Sequence, residues 1–340
     1  MNENNEQTNQ NPNDQTGVQE GEKILSFPLP DDSHVMTFDL ERANLRGRII
    51  RMGRVLNDIF DPHDYPPIVA DKLAETLTMA VLLSSMLKYD GIFILQIQGS
   101  GPITRLVADV SSDGKIRATA GYDADALNSL LAVKPANEIK MNELLQNGYL
   151  AFTVDQGSHT DRYQGIVELR GHSVRESIDH YFAQSEQIAT ALRLAVSKNT
   201  AGDTAGMWRA GAIMLQHVPD HADIPQDAKP IAENWLRAQI LLETCRDDEL
   251  LDPKLHDETL LYRLFHEEHV RIYPATPLSK ACRCTTDKLR KILSLLSDDD
   301  RTHAMVDGAI TMTCEFCNKQ FSFTDVDLMT GEGAKEPDIS

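Results

Sequence analysis

The chain has 340 residues, of which 41% are hydrophobic and 25% charged, and this length predicts about two domains. Such a composition excludes wholesale disorder, collagen and a disulfide-dense miniprotein. The formal net charge of −19 disfavours binding to nucleic-acid phosphates, and no apolar run has the ~18–20 residues that a membrane helix needs.

The first 22 residues are rich in Asn and Gln and have almost no apolar side chains. A segment of this composition cannot bury enough surface to fold, so residues 1–22 are predicted to be a disordered tail. The segment has neither the basic start nor the apolar stretch of a signal peptide. We therefore expect a cytoplasmic protein, in which the five cysteines are thiols or metal ligands.

The next part of the chain has one helix signal, a run of strand signals and then a further helix signal. Pro66 and Pro67 precede a stretch rich in Ala, Leu and Met, which predicts a long helix over residues 68–88. Strand signals follow at residues 92–98, 103–110, 115–121, 150–156 and 163–169, and short turns between the first three predict an antiparallel meander. Ser173 and Glu176 form a capping-box pattern that predicts a helix to about residue 187. Strands followed by helices indicate the α+β class.

An acidic segment, residues 220–278, comes next, and we call it the connector. Its sequence predicts helices over residues 231–244 and 258–268, with Leu260, Leu261, Leu264 and Phe265 on one face of the second. Two interpretations are open at this point. The connector is either a partly autonomous, marginally stable element suited to switching, or a set of helices packed on the first domain.

The clearest chemical signal is a group of four cysteines near the C-terminus, arranged as Cys282-x-Cys284 and Cys314-x-x-Cys317. Zinc prefers a tetrahedron of soft ligands, and four thiolates complete it. We therefore predict one zinc ion per chain, bound by these four residues. Because the surrounding segment has little core of its own, the metal would supply much of its folding free energy, on the order of 10 kcal/mol in finger peptides.

A four-sulfur site leaves no open position for water, so metal-assisted hydrolysis is not expected. The site is either a rigid clip or a redox switch, because zinc-held thiolates are oxidisable. Between the two arms, one apolar helical face is predicted from the spacing of Leu289, Ile292, Leu293 and Leu296. Residues 325–340 are polar and are predicted to be a frayed tail.

Residues 24–327 resemble the heat-shock protein 33 family of redox-regulated chaperones. The resemblance is carried by the strings RYQGIVEL at 162–169, YFAQSEQIAT at 181–190, LYRLFHEEHVRI at 261–272 and CEFCN at 314–318, and by the cysteine order. It implies an ATP-independent holdase, not an enzyme, that binds unfolding client proteins under oxidative stress. The resemblance implies a zinc-bound, inactive reduced state. It also implies an oxidised, dimeric, active state in which Cys282 pairs with Cys284 and Cys314 with Cys317.

The resemblance also implies how the chain is divided into domains. It implies an α+β core domain with a largely antiparallel sheet at residues 23–219 and a helical connector at 220–278. A zinc-binding redox-switch domain follows at 279–327, and a flexible tail at 328–340. Two rival functions are a thiol oxidoreductase using Cys314 and Cys317, and a zinc-ribbon interaction module. Cys245, in the connector, is either a buried thiol or an additional oxidation sensor.

Overall fold

The computed structural model of the chain describes residues 32–156, 163–169, 174, 176, 189–199, 205–217 and 231–330. The strands are β1 His34–Leu40, β2 Leu45–Met52, β3 Ile92–Gln98, β4 Ile103–Ser111, β5 Lys115–Tyr122, β6 Tyr149–Asp155, β7 Tyr163–Glu168, β8 Thr190–Lys198, β9 Trp208–His217, β10 Val270–Ile272, β11 Thr276–Pro277, β12 Ser279–Lys280, β13 Ala309–Thr313 and β14 Gln320–Thr324. The helices are α1 Arg54–Phe60, α2 Pro67–Ser84, α3 Ala124–Val133, α4 Met141–Leu145, α5 Ile231–Glu243, α6 Asp247–Leu251, α7 Asp257–Phe265, α8 Thr286–Leu293, α9 Asp298–Ala304 and α10 Asp325–Thr330. Short 3-10 turns occur at Glu41–Ala43, Ala136–Glu138 and His266–Glu268.

Two six-stranded sheets form the body of the molecule. The first has the order β10-β1-β2-β9-β8, with β11 also paired to β1, and the second has the order β12-β5-β4-β3-β6-β7. The described strand pairs are antiparallel except for β12 with β5. The predicted α+β class and the β3-β4-β5 meander are therefore confirmed. No helix among the described residues is long and apolar enough to span a membrane.

Helix α2 lies in the main core together with inward-facing residues of both sheets, and nearly all of its side chains are buried. A largely apolar helix that is buried on nearly all sides is typical of such a central position. The sequence predicted a helix to residue 88, but α2 ends at Ser84. The hydroxyls of Ser84 and Ser85 donate to the carbonyls of Val81 and Leu82. The next two backbone N–H groups then donate to carbonyls three residues earlier, as in a 3-10 turn. Serine competes in this way with the regular helical pattern.

The connector packs on the outer face of the first sheet. The predicted apolar face of α7 is confirmed, since its four large side chains are at most 2% exposed. Phe265 stacks on Phe38 of β1 with ring centroids 6.1 Å apart. Phe38 in turn lies over Gly47 of β2, where a Cβ would come within 2.0 Å of the ring. Of the two sequence interpretations, the described part of the connector shows helices packed on the first domain.

A buried polar cluster, which we call the connector clasp, joins β1 and β2 to the connector through His34, Arg51 and Asp257. The Asp257 carboxylate accepts a hydrogen bond from Arg51 Nε at 2.9 Å and lies 2.5 Å from His34 Nε2. The Arg51 guanidinium also donates to a set of connector carbonyls, those of Glu249, Leu250, Asp252 and Leu255. One arginine of the first sheet therefore satisfies the C-terminal carbonyls of α6 and the loop after it.

Residues 279–330, which we call the cysteine module, form a small separate cluster. Its core contains Leu293, Ile310, Phe321 and Phe323. The predicted apolar face between the cysteine arms is right for Leu289, Leu293 and Leu296 but wrong for Ile292, which lies at the edge of that face and is 52% exposed.

The structure describes only part of the predicted tails and of the helix predicted at residues 173–187. The predicted frayed tail begins instead with helix α10, where the Asp327 carboxylate accepts hydrogen bonds from the Thr324 N–H and hydroxyl. The N-terminal tail, the segment after residue 330 and most of the helix predicted at residues 173–187 lie outside the described residues.

Candidate metal centre

The four C-terminal cysteines converge on one point in the structure. The Sγ atoms of Cys282 and Cys314 lie 3.6 Å apart, and those of Cys284 and Cys317 lie 3.4 Å apart. All four sulfur atoms lie within 4.8 Å of one another, and all four residues are free thiols. The structure therefore brings together the residues that the sequence grouped as one site. Since every sulfur is close to every other, proximity does not select one disulfide pairing over another.

The first cysteine arm is anchored to the core domain. Strand β12 pairs in parallel with the start of β5, so Ser279 lies beside Lys115 and Lys280 beside Ile116. The N–H of Ala281 continues the pattern by donating to the carbonyl of Ile116. Cys282 and Cys284 follow directly, and their position is therefore set by a strand of the second sheet.

The second arm is the turn between β13 and β14, and we call residues 314–319 the cysteine knuckle. The Cys314 N–H donates to the carbonyl of Lys319 at 2.9 Å, and the Asn318 N–H donates to the carbonyl of Cys314 at 2.8 Å. Asn318 has a φ of 57°, in the left-handed region that asparagine tolerates better than most residues. This tight turn directs the sulfurs of Cys314 and Cys317 to the same side.

Burial and contacts within the sulfur cluster shift the pKa values of three of its thiols. Burial raises the pKa of Cys282, but hydrogen bonds from the Cys284 N–H and the neighbouring thiols outweigh burial and lower that pKa to about 7. Burial, the hydrogen bond to Cys282 and the Cys282 charge raise the pKa of Cys284. Burial also raises the pKa of Cys317. A bound dication would offset the raised pKa values of Cys284 and Cys317, because its charge stabilises thiolates.

The geometry of the donor set fits a tetrahedral metal ion. Zinc–sulfur bonds of ~2.3 Å place the sulfurs of a regular tetrahedron roughly 3.8 Å apart. The two short Sγ pairs, at 3.4 and 3.6 Å, and the 4.8 Å upper limit bracket this value. Cys282, Cys284, Cys314 and Cys317 would be the ligands. When bound, zinc would hold the four sulfurs as thiolates and tie the knuckle to the β12 arm.

Charged side chains of the core domain and of the first cysteine arm border the site on one side. Arg117 of β5 directs Nη1 toward Cys282 Sγ at 3.8 Å and donates through Nε to Asp109 at 2.7 Å. Arg283 pairs with the same Asp109 carboxylate, and burial lowers the pKa of the Arg283 guanidinium. Sequence reasoning missed these contacts because they join segments far apart in the chain. The one signal in the sequence was the alternation in β5, which places Arg117 and Thr119 opposite the buried Ile116 and Ala118.

Cys245 lies apart from the cluster. It follows helix α5, is 1% exposed and belongs to the apolar cluster between the connector and the first sheet. Burial raises the pKa of this thiol, which keeps it protonated and unreactive. The described structure therefore matches the interpretation of Cys245 as a buried thiol in the packed state of the connector.

These features define a class of protein: a two-sheet α+β domain with packed helices and a C-terminal four-cysteine module. Comparisons with known proteins assign the family, since the model of the Hsp33 protein family matches residues 33–324 and the chain belongs to that family. A 33 kDa chaperonin of Caulobacter vibrioides is 35% identical over 291 residues, covering 85% of this chain and 93% of its own. A 33 kDa chaperonin of Pseudomonas fluorescens is 33% identical over 314 residues, which cover 91% of this chain and 97% of its own.

A solved structure is similar in fold. The 33 kDa chaperonin of Thermotoga maritima, a heat shock protein 33 homolog, matches with a TM-score of 0.66 at 21% identity, covering 87% of this chain and 96% of its own. The resemblance found in the sequence is thereby confirmed. The names of these relatives are those of a chaperone and not of an enzyme, as the sequence analysis predicted.

Proposed function

We propose that this protein is a redox-regulated, ATP-independent holdase that binds unfolding proteins during oxidative stress. In the reduced state it holds one zinc ion through Cys282, Cys284, Cys314 and Cys317 and is inactive. Oxidation forms two disulfides, the protein loses the metal, and client binding follows. The observation that carries the proposal is the convergence of four thiols in a module whose own apolar core is small.

The cysteine module depends on a metal for its stability. Its buried cluster contains four apolar residues, whereas the main core draws on both sheets and helix α2. At ~1.5–3 kcal/mol for each fully buried large side chain, four of them contribute less than the conformational entropy of about fifty ordered residues costs. Loss of the four metal–sulfur bonds is therefore expected to unfold the module while the core domain persists.

The connector is placed to respond to that unfolding. It leads directly through β10 and β11 into β12 and the first cysteine arm. Its apolar face covers the outer side of the first sheet, where Phe38, Leu45 and Ile49 are at most 1% exposed. Release of the connector would uncover this apolar face. A contiguous apolar surface of that kind is what a holdase needs to capture an unfolding chain.

The redox step balances with a peroxide as oxidant. Four thiolates give up four electrons to form two S–S bonds, and two peroxide molecules take up those electrons and four protons to give four waters. The family resemblance pairs Cys282 with Cys284 and Cys314 with Cys317. A thiol reductant reverses both bonds, after which the thiolates can bind zinc again.

The remaining parts of the proposal concern the protein's surroundings. Its partners are unfolding client proteins and, in the oxidised state, a second copy of the chain, and its location is the cytoplasm. The net charge of −19 supports solubility of the client complexes and disfavours nucleic acid as a partner. The functional division is a core domain at residues 23–219, the connector at 220–278 and the redox-switch domain at 279–327.

Light scattering of a thermally unfolding client tests the proposal without ATP. Reduced, zinc-loaded protein should leave the client free to aggregate, and peroxide-treated protein should suppress aggregation. Addition of reductant and zinc should remove the suppression. Equal suppression by the reduced and oxidised forms would contradict redox control. Suppression by neither form would contradict the holdase assignment itself.

A further inference from the structure

The cysteine knuckle is seated on a specific surface of the core domain. That surface is formed by strands β4 and β5 and by the loop between α1 and α2, and we call it the knuckle seat. The Glu315 carboxylate accepts a hydrogen bond from Arg105 Nη2 at 2.8 Å, and the Glu315 carbonyl accepts one from the Thr119 hydroxyl at 2.7 Å. Thr119 is 3% exposed, so its hydroxyl is covered by the knuckle.

The aromatic residue of the knuckle is held with equal specificity. The Arg117 guanidinium carbon lies 3.8 Å from the centroid of the Phe316 ring. Asp109 fixes that guanidinium through its bond to Arg117 Nε. The carbonyl of Phe316 lies 3.3 Å from His63 Nε2, and the His63 ring stacks on Tyr65 with centroids 4.7 Å apart.

The knuckle seat itself is built by the core domain. The Tyr65 hydroxyl lies 3.5 Å from the Thr119 hydroxyl and accepts a hydrogen bond from the N–H of Ala120. The Tyr122 hydroxyl donates to the carbonyl of Asp64. The loop that carries His63 and Tyr65 is thus tied to β5 by contacts that do not involve the cysteine module. The seat should therefore keep its shape when the module leaves.

The chemistry of the knuckle seat defines what it recognises. Arg105 offers a cation for a carboxylate, Arg117 offers a planar cation for an aromatic face, and Thr119 and His63 face two successive backbone carbonyls. The matching ligand is an extended peptide with an acidic residue followed directly by an aromatic one. Within this chain Glu315 and Phe316 provide that pair.

We propose that the knuckle seat is a peptide-binding site of the core domain, and that Glu315 and Phe316 occupy it in the reduced protein in place of a client. Its occupant after oxidation is a client segment with an acidic residue followed by an aromatic one. This proposal rests on the proposed function, because it requires the cysteine module to leave the core on oxidation. It adds a recognition site with sequence preference to the general apolar surface beneath the connector.

Fluorescence anisotropy with a labelled peptide tests the proposal on the full-length protein. The probe contains residues 312–319 of this chain, with both cysteines replaced by serine. Control peptides carry Glu315→Gln, Phe316→Ala or a scrambled order. The oxidised protein should bind the probe, whereas the reduced, zinc-loaded protein should not, because its own knuckle fills the seat. The Phe316→Ala control peptide should bind about tenfold more weakly, because it has no aromatic ring to make the desolvated cation–π interaction with Arg117.

Protein variants locate the binding on the seat. Arg117→Ala in the oxidised protein should weaken probe binding about tenfold, whereas Arg117→Lys, which keeps the charge without the planar guanidinium face, should recover only part of it. Arg46→Ala is the matched control, because Arg46 is a partly exposed arginine of the first sheet that pairs with Asp39. A probe with photoreactive benzoylphenylalanine in place of its phenylalanine should crosslink to residues 115–122 or 62–66 of the oxidised wild-type protein and of the Arg46→Ala control.

The outcomes separate this proposal from the proposed function. If oxidised protein suppresses aggregation but binds the probe no better than the scrambled peptide, the peptide site is wrong and the holdase stands. Equal probe binding by Arg117→Ala and wild type, or crosslinks that fall on the first sheet, would likewise overturn the site. If oxidised protein suppresses no aggregation, the proposed function fails whatever the probe does.

Discussion

The connector clasp provides a quantitative test of how the connector is held. We consider Asp257→Asn, which keeps the size of the side chain and removes its charge. Asp257 is 7% exposed and faces two partners, Arg51 Nε at 2.9 Å and His34 Nε2 at 2.5 Å. The substitution leaves the Arg51 guanidinium buried without a carboxylate, although its hydrogen bonds to the connector carbonyls remain possible.

Removing one partner of a buried ion pair costs about 3–5 kcal/mol, because the other charge stays desolvated. The remaining carbonyl contacts of Arg51 place the expected value near the lower end, at about 3 kcal/mol. Since 1.4 kcal/mol is a factor of ten, the opening equilibrium of the connector should rise roughly a hundredfold. Strand Ile92–Gln98 pairs with β4 and β6 of the second sheet and not with the strands that carry the clasp, so it should keep its protection.

Native-state hydrogen exchange measures this change directly in the reduced, zinc-loaded protein. Amides of α6 and α7 should exchange roughly a hundredfold faster in Asp257→Asn, and aggregation of a client should be partly suppressed without oxidant. Asp248→Asn is the matched control, because Asp248 pairs with Arg246 on the surface, where both side chains are largely exposed. Its exchange should match that of the wild type.

Two results would refute the reasoning. If α6 and α7 exchange at wild-type rates in Asp257→Asn, the clasp does not hold the connector. If they exchange much faster but the reduced variant leaves the client to aggregate, connector release alone does not produce a client-binding state.

Three further predictions concern the cysteines and the small core around them. Elemental analysis should find one zinc per reduced chain, a content that Cys282→Ser lowers and Cys245→Ser leaves unchanged; no zinc, or two, in the wild type would contradict the four-sulfur site. Iodoacetamide should modify Cys245 slowly in the reduced protein, where the thiol is 1% exposed, and rapidly after peroxide treatment; mass spectrometry showing equal rates would contradict connector release. Phe323→Ala removes a fully buried ring from the module, at a cost of about 3–5 kcal/mol, and should speed zinc transfer to a chelator without changing exchange in Ile92–Gln98.

Local patterns predicted the elements whose stability is local. The meander of β3, β4 and β5 followed from strand signals and the short turns between them, and the apolar face of α7 followed from helical spacing. Helix ends were less predictable, because they depend on side-chain hydrogen bonds such as those of Ser84 and Ser85. Ile292 fits the helical spacing of its neighbours, but it lies at the edge of the apolar face of α8 and is exposed.

The contacts that link the parts of the molecule could not be predicted from the sequence. The four cysteines were grouped correctly because thiol spacing itself indicates metal chemistry. Arg51 and Asp257, by contrast, are separated by 206 positions, and no local pattern relates them. The same holds for Arg117 and Phe316, which lie on distant segments of the chain. These long-range polar contacts decide how the connector and the knuckle are held.

The central claim is that loss of the metal and gain of client binding are one event. It is tested by titrating full-length, zinc-loaded protein with peroxide while zinc release to a chromogenic chelator and suppression of client aggregation are recorded on the same samples. The two curves should rise over the same range of peroxide and fall together when reductant and zinc are added. Full suppression before any zinc is released, or complete zinc release with no suppression, would contradict the account.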